Sequence, residues 1–397
     1  MKDLMLQEAM ELRRELVSHR RRLHAMAETG FDLKNTRDYV RNALKEMGYA
    51  PRDCGRCGLV ADIGCGGKTF LLRADMDALP IEEETGLDYA SRTGAMHACG
   101  HDLHTAMLLG AAKLLKDHEK ELPGRARLLF QPAEEIFEGA KDIISSGALE
   151  GVDAAMMIHV TVGAPLPTGT AIISSPGISA PAADYFTITV RGRGCHGSAP
   201  QDGVDPITAA AHILIALQEI QARELGINDS AVLTIGTIRG GTASNAIADA
   251  VTLGGTLRTV DERVRIRLKT RMEEISRGIA TAFRAVAEVA FGSGCPCLEN
   301  DAAVSRQVSE ALKELLGPNC AYTTRELDPS GKPSAGGSED FAYISQQVPA
   351  VMVALAAGNP SKGYTYPLHH PKVRFDEDAL PYGAAIHAYA ALRWLQT

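Results

Sequence analysis

Ala183-Asp184-Tyr185-Phe186-Thr187-Ile188-Thr189-Val190-Arg191-Gly192 is where the chain changes its pattern. Phe186, Ile188 and Val190 fall on one face of an extended segment and Tyr185, Thr187 and Thr189 on the other, the period of a strand with one buried side. Asp205-Pro206 then forms an N-cap and first-turn pair for a helix carrying Ile207, Ala211, Leu214, Leu217 and Ile220. Strands at 231–238 and 250–258, a helix at 261–283 and a strand near 285–291 complete the order β-α-β-β-α-β. This is a ferredoxin-like α+β unit, with two helices on one sheet face and the other face free. A free face with open edges is the expected surface for self-association.

Before and after this unit the pattern is that of a layered α/β fold. Helical periodicity over 4–28 and 36–47 precedes short strands at Gly58 to Ile63 and Thr69 to Arg73. A helix is expected over 104–117, a buried strand over Arg125 to Gln131, a helix over 135–146 closed by Gly147, and a strand over Asp153 to Val160. Such alternation builds a mostly parallel sheet covered by helices on both faces. Past Gly292 it resumes, with a helix at 301–316, a strand at 349–356 and a helix at 376–395. The organisation expected is a split α/β domain, residues 1–182 and 293–397, with residues 183–292 inserted.

At 397 residues the chain exceeds one ordinary core. Hydrophobic residues at 45% and charged residues at 23% are soluble-protein proportions, and the dispersed net charge of −8 selects neither nucleic acid nor an anionic membrane as partner. The first eleven residues carry charges where a secretory signal needs an apolar run, and no apolar stretch reaches membrane-spanning length. Eight cysteines in so long a chain do not make a disulfide framework, so a cytoplasmic location is expected.

Chemistry concentrates at Met96-His97-Ala98-Cys99-Gly100-His101-Asp102-Leu103-His104, ahead of an apolar helix. A thiolate, imidazoles and a carboxylate at this density suit a divalent cation, although such clusters also occur as solvated loops. Glu134 and Glu135 follow a buried strand, where adjacent carboxylates need a compensating cation. Their side chains leave the backbone in different directions, so one can ligate while the other handles a water proton. His159 ends an apolar strand, Asp75 and Asp77 end another, and His369-His370-Pro371 lies in a Gly- and Tyr-containing loop. This mixture of donors fits zinc, manganese, nickel or cobalt better than magnesium or calcium.

His97-Ala98-Cys99-Gly100-His101-Asp102, Gln131-Pro132-Ala133-Glu134-Glu135, His159-Val160 and Leu368-His369-His370-Pro371 together resemble one metallopeptidase group. It is the amidohydrolase branch of the aminoacylase and carboxypeptidase-like enzymes, with hippurate hydrolases, auxin-conjugate hydrolases and N-acetyldiaminopimelate deacetylases. The likeness runs in order from about residue 20 to 395. It implies a di-metal domain with an inserted lid and dimerisation domain, and hydrolysis of N-acyl amino acids or small dipeptides by a homodimer or higher oligomer.

Carried over position by position, the resemblance makes Cys99, His101, Glu135, His159 and His369 ligands of two divalent ions and Glu134 the general base. Asp75 and Asp77 become supports beside the ions, His196 an oxyanion donor from either subunit, and Asn245 and Arg258 contacts to the substrate carboxylate. Two positions depart from the family pattern. Ala27 stands in His24-Ala25-Met26-Ala27-Glu28 where a proline is usual, and Gln201 where a histidine often follows Pro200.

Two other functions are weighed. Gly192-Arg193-Gly194-Cys195-His196-Gly197 spells a dinucleotide fingerprint and with it an NAD-dependent oxidoreductase. Its third glycine, however, precedes Pro200 and Gly203 instead of opening a helix. A non-catalytic metal protein is the second, its cations structural or a zinc knot made by Cys54, Cys57, Cys295 and Cys297. A structural site is closed by four ligands, whereas Glu134 is a spare carboxylate beside a ligand.

Overall fold

The computed structural model describes residues 2–330 and 337–397. They form two compact units: residues 2–179, 299–330 and 340–397 in one, residues 180–298 and 337–339 in the other.

The first unit is built on an eight-stranded sheet in the order Arg52–Cys54, Gly58–Gly64, Arg125–Gln131, Thr69–Asp75, Ala154–Thr161, Ala350–Ala356, Ala171–Ile173, Ala321–Thr323. The four middle strands run parallel. Antiparallel pairings join the outer ones on each side, and the last pair is again parallel. Every residue of Thr69–Asp75 is buried, as a central parallel strand requires. The helices His101–Asp117 and Ala379–Leu395 are apolar nearly all round and correspondingly buried. Three strands of this sheet, Arg52–Cys54, Ala171–Ile173 and Ala321–Thr323, lie where no strand was expected. At three residues each they are too short to carry a period.

Several helix starts differ from the expected ones, each for a local reason. The first helical region divides into Lys2–Glu11 and Arg13–Ala25, although hydrogen bonds from Leu12 N to Glu8 O and from Leu16 N to Leu12 O span the break. Lys34–Glu46 begins two residues early because the Glu28 carboxylate accepts the Asn35 and Thr36 amides, satisfying donors that a helix start leaves open. Ala27, the departure beside it, is buried with Ala78 and Ala95. The helix expected over 135–146 begins only at Gly139, because Ala133 and Phe137 adopt left-handed φ of 55° and 56°. Glu134 and Glu135 therefore sit in a turn. The C-terminal helix likewise begins at Ala379, past Asp376.

The second unit has the sheet order Ala231–Gly240, Ala250–Thr259, Ala182–Arg191, Val286–Cys295, all antiparallel. With helices Pro206–Glu219 and Glu262–Ala282 this is the ferredoxin-like arrangement. Its core takes Phe186, Ile188, Val190, Leu253 and Leu257 from the strands and Ile213, Leu217, Leu268 and Met272 from the helices. Tyr185, Thr187 and Arg191 stay exposed on the other face. Asp205 and Asp261 cap the two helices through their side chains. No helix among the described residues is long and apolar enough to cross a membrane.

One ion-pair cluster ties two helices and two loops of the first unit together. Arg20, 1% exposed, donates from Nε to Asp102 Oδ2 at 2.8 Å and from Nη1 to the Tyr89 hydroxyl and Glu377 Oε1 at 2.5 and 3.2 Å. Removing one partner of such a pair strands the other charge in the interior. Arg20→Met is therefore expected to lower the unfolding free energy by about 3–5 kcal/mol, measured as the shift of a urea transition.

Candidate metal centre

Gly100 separates the first two donors. Its φ of 89° lies in the left-handed region, and a Cβ there would meet Val160 Cγ2 at 2.4 Å, so only glycine fits. The turn sets Cys99 just outside the helix and makes His101 its first residue, which is why the helix begins three residues before the expected start. The amide of His369 donates to the Ala98 carbonyl at 3.0 Å and brings that loop against Cys99, with His369 itself at a left-handed φ of 64°.

The imidazoles are held in defined tautomers. His101 Nδ1 lies 2.8 Å from the Asp77 carbonyl and His159 Nδ1 2.7 Å from the Val160 carbonyl, and a carbonyl can only accept. Each ring therefore carries a proton on Nδ1 and turns Nε2 the other way. His159 Nε2 and His369 Nε2 lie 3.4 and 3.3 Å from Cys99 Sγ. His101 Nε2 and His369 Nε2 are each 3.8 Å from Glu135 Oε1. His101 Nε2 is buried and makes no hydrogen bond among the described residues. His370 instead stacks on Tyr366 at 4.3 Å.

These donors form overlapping groups whose atoms lie within 4.8 Å of one another: Cys99 with His101 and His159, Cys99 with Glu135 and His369, and His101 with Glu134 and Glu135. A thiol, imidazole nitrogens and carboxylates converging in this way fit divalent cations. The protonation equilibria agree. Burial pushes the Cys99 thiol up to about 12. Burial opposes a charge on His101, but Asp75, Asp77 and Cys99 together outweigh it and hold His101 well above its ordinary value. Two protons thus balance charge at the point where cations would. Burial, with His104 nearby, pushes His159 down to about 3, so its imidazole is neutral at physiological pH.

The glutamate turn is braced from below. The Asp77 carboxylate accepts the Glu134 and Glu135 amides at 3.0 and 3.3 Å. A Cβ on Gly139 would sit 1.7 Å from the Pro132 carbonyl oxygen, so the chain can close this turn only with glycine there. Asp75 takes 2.6 Å hydrogen bonds from Arg73 Nη1 and His104 Nδ1, while His104 Nε2 accepts the Val160 amide. Burial alone would raise Asp75, but the neighbouring His101, His104 and Arg73 hold it well below the usual carboxylate range.

The second unit carries the other expected site residues. His196 is exposed on the short strand Cys195–His196, its Nδ1 accepting the Ser198 hydroxyl and amide at 2.7 and 3.2 Å. The neighbouring Gly197 amide donates to the Asn245 carbonyl, which puts His196 and Asn245 side by side. Arg258 lies on the open sheet face, 6.0 Å from the centroid of the Tyr185 ring and donating to Ser338 Oγ at 2.7 Å. Gln201 is exposed in a single turn at Pro200–Asp202. No helix follows Gly197 until Pro206, so the glycine triplet cannot cradle a pyrophosphate at a helix start. Cys54 and Cys57 donate to the carbonyls of Ile143 and Phe31.

A sequence model of peptidase family M20/M25/M40 matches residues 71–393. The chain belongs to this family. It is 39% identical over 373 residues to N-acetyl-L-cysteine deacetylase of Bacillus subtilis, covering 93% of this chain and 85% of that one. It is 37% identical over 388 residues to IAA-amino acid hydrolase ILR1-like 2 of Arabidopsis thaliana, covering 96% and 85%. Among solved structures, the Bacillus subtilis YXEP protein, a dinuclear metal binding peptidase from the M20 family, is 32% identical. It matches with a TM-score of 0.80 over 98% of this chain and 99% of its own. As a member of this family the chain is a metal-dependent amidohydrolase.

Three residues around the centre were not singled out from the sequence: Arg73, Gln131 and Asp340. A signal existed for the first, since an arginine inside Thr69-Phe70-Leu71-Leu72-Arg73-Ala74-Asp75 is a charge in a strand that must be buried. Behind His101 lies another buried cluster. His24 Nδ1 meets Asp102 Oδ2 at 2.9 Å and Nε2 meets Glu83 Oε2 at 3.1 Å. Burial opposes a charge on His24, but these two carboxylates outweigh it and raise its pKa above 6.5. A raised histidine stabilises the fold fully below its unfolded value and ceases to as pH climbs through the folded one. The stability difference between wild type and His24→Gln, from urea unfolding, is thus expected to be largest below about pH 6.5 and to narrow above it.

Proposed function

We propose that this M20-family enzyme hydrolyses the amide bond of N-acyl amino acids, with N-acetyl, hippurate-like or aryl-acyl groups, or of small dipeptides. The names of its deacetylase and amino acid hydrolase relatives support the substrate class. The observation that carries the catalytic reading is the pair Glu134-Glu135 in one turn, within reach of the same imidazole, His101. One carboxylate is then a ligand and its neighbour an acid–base group.

In this reading Cys99, His101, Glu135, His159 and His369 hold two divalent ions, drawn from zinc, manganese, nickel or cobalt. Bound there, the ions would lower the pKa of a water and polarise the scissile carbonyl. Glu134 takes a proton from the attacking water as its oxygen bonds to the amide carbon, and passes it to the nitrogen of the amine as the C–N bond breaks. Asp75 and Asp77 keep the imidazoles and the glutamate turn in position. His196 donates to the developing oxyanion, from its own subunit or a second one, and Asn245 and Arg258 receive the substrate carboxylate. Residues 183–292 act as lid and self-association surface of a homodimer or higher oligomer. A thiol ligand that must stay reduced supports the cytoplasm as its compartment.

Glu134→Gln keeps the size and a hydrogen-bonding oxygen but cannot take up a proton. Its metal content by elemental analysis is expected to match wild type while kcat falls by about 10²–10⁴. Near-normal turnover with metal retained would remove Glu134 from this role. The substrate class is tested by a hydrolysis screen of N-acyl amino acids and dipeptides with metal-reconstituted enzyme, varying acyl group and side chain separately. Arg258→Leu should raise KM for the preferred acid by about tenfold or more and leave the corresponding amide, which lacks the charge, nearly unaffected.

A further inference from the structure

We infer that Asp340 is a positioning residue for Glu134, and that the buried Arg73 and Gln131 set it in place. The inference rests on Glu134 being the proton acceptor. Asp340 joins two sets of hydrogen bonds. Through its backbone, its amide donates to Glu134 Oε1 at 3.2 Å. Through its side chain, its carboxylate accepts Arg73 Nη2 at 2.8 Å, Gln131 Nε2 at 2.8 and 2.9 Å to its two oxygens, and the Ala140 amide at 2.9 Å. Asp340, Arg73, Gln131 and Ala140 have no solvent exposure.

The geometry leaves the carboxylate no freedom to turn. Donors reach it from the end of one central strand, the interior of the next and the first turn of the helix Gly139–Ser145. Arg73 is fixed in turn by Asp75 Oδ2 at 2.6 Å and Gln131 Oε1 at 3.0 Å. Its planar guanidinium reaches three acceptors in three directions, which a lysine ammonium on a flexible stem would not hold together. Hydrogen bonds to a charged group inside a protein are strong and directional. With the side chain locked, the amide of the same residue is aimed, and so is the oxygen it holds. The turn Ala133–Phe137 has left-handed residues at both ends and no regular backbone ladder, so Glu134 needs such an outside anchor. Arg73 also serves Asp75, which faces His101 and His104, so one guanidinium sets both the imidazole side and the proton-acceptor side of the centre.

A double-mutant cycle tests this. In Asp340→Asn one oxygen becomes an NH2 that faces donors, so the anchor loosens at constant size. The expected result is a fall in kcat of about tenfold to a hundredfold with KM and metal content close to wild type. In a Glu134→Gln background the same change should cost less than about twofold, because a residue acting through Glu134 has nothing left to lose. An equal cost in both backgrounds, or an unchanged kcat, overturns the inference. Should Asp340→Asn not fold, Gln131→Met removes two of the anchoring bonds at similar volume and is read in the same cycle. If neither folds, the network serves the fold and the inference fails. Near-normal turnover of Glu134→Gln alone instead removes the proton-acceptor reading itself, so the two failures are told apart.

Discussion

A charge buried in the middle of a parallel sheet must be answered where it stands, and Arg73 is that charge. It sits on a strand with every residue buried, where an unpaired guanidinium would be prohibitive. Its answers come from Asp75 on its own strand, Gln131 on the neighbouring one and Asp340 from the far end of the chain. Each of those partners is itself attached to a piece of the metal centre. The polar floor of the site is thus continuous with the core of the first unit. Neither can be rearranged without disturbing the other.

The parallel strands explain why the donors converge. Side chains and loops at the carboxyl ends of adjacent parallel strands emerge on one edge of the sheet. Asp75, Gln131 and His159 come from three neighbouring strands, and the Cys99–His101 turn is laid over them by the helix that follows. His369 arrives by a loop whose amide bonds to Ala98. Chain segments separated by up to 270 positions therefore meet because the sheet order brings their strand ends side by side.

Much of this was legible in the sequence, and the reasons for what was not are physical. Long apolar strands and the alternation at Ala183 to Gly192 carry strong periods, so the α/β layer and the ferredoxin-like unit could be read directly. Cys99, His101, Glu134, Glu135, His159 and His369 stand in motifs that resemble one metallopeptidase group, and the structure brings them together, while their division into ligands and proton acceptor belongs to the proposal. The helix expected from residue 135 starts only at Gly139 because a left-handed Phe137 leaves no mark in composition. Asp340 was missed because its importance lies in its main-chain amide, which every residue but proline possesses. Arg73 stands out as a charge in a buried strand, but two of its partners, Gln131 and Asp340, lie too far along the chain to be paired by inspection.

The left-handed backbone at Ala133, Phe137 and His369 has a consequence outside catalysis. Each costs on the order of 1–2 kcal/mol relative to a relaxed conformation, and all three lie in the loops that carry the proposed cation-binding groups. Ions bound there as proposed would offset this strain, since whatever binds only the folded state favours it by mass action. Without them the chain would open more often, and opened chains are what cellular proteases remove. A cell short of the metal would then hold less of this protein as well as a less active form of it. Its abundance would follow the metal supply without a dedicated regulator.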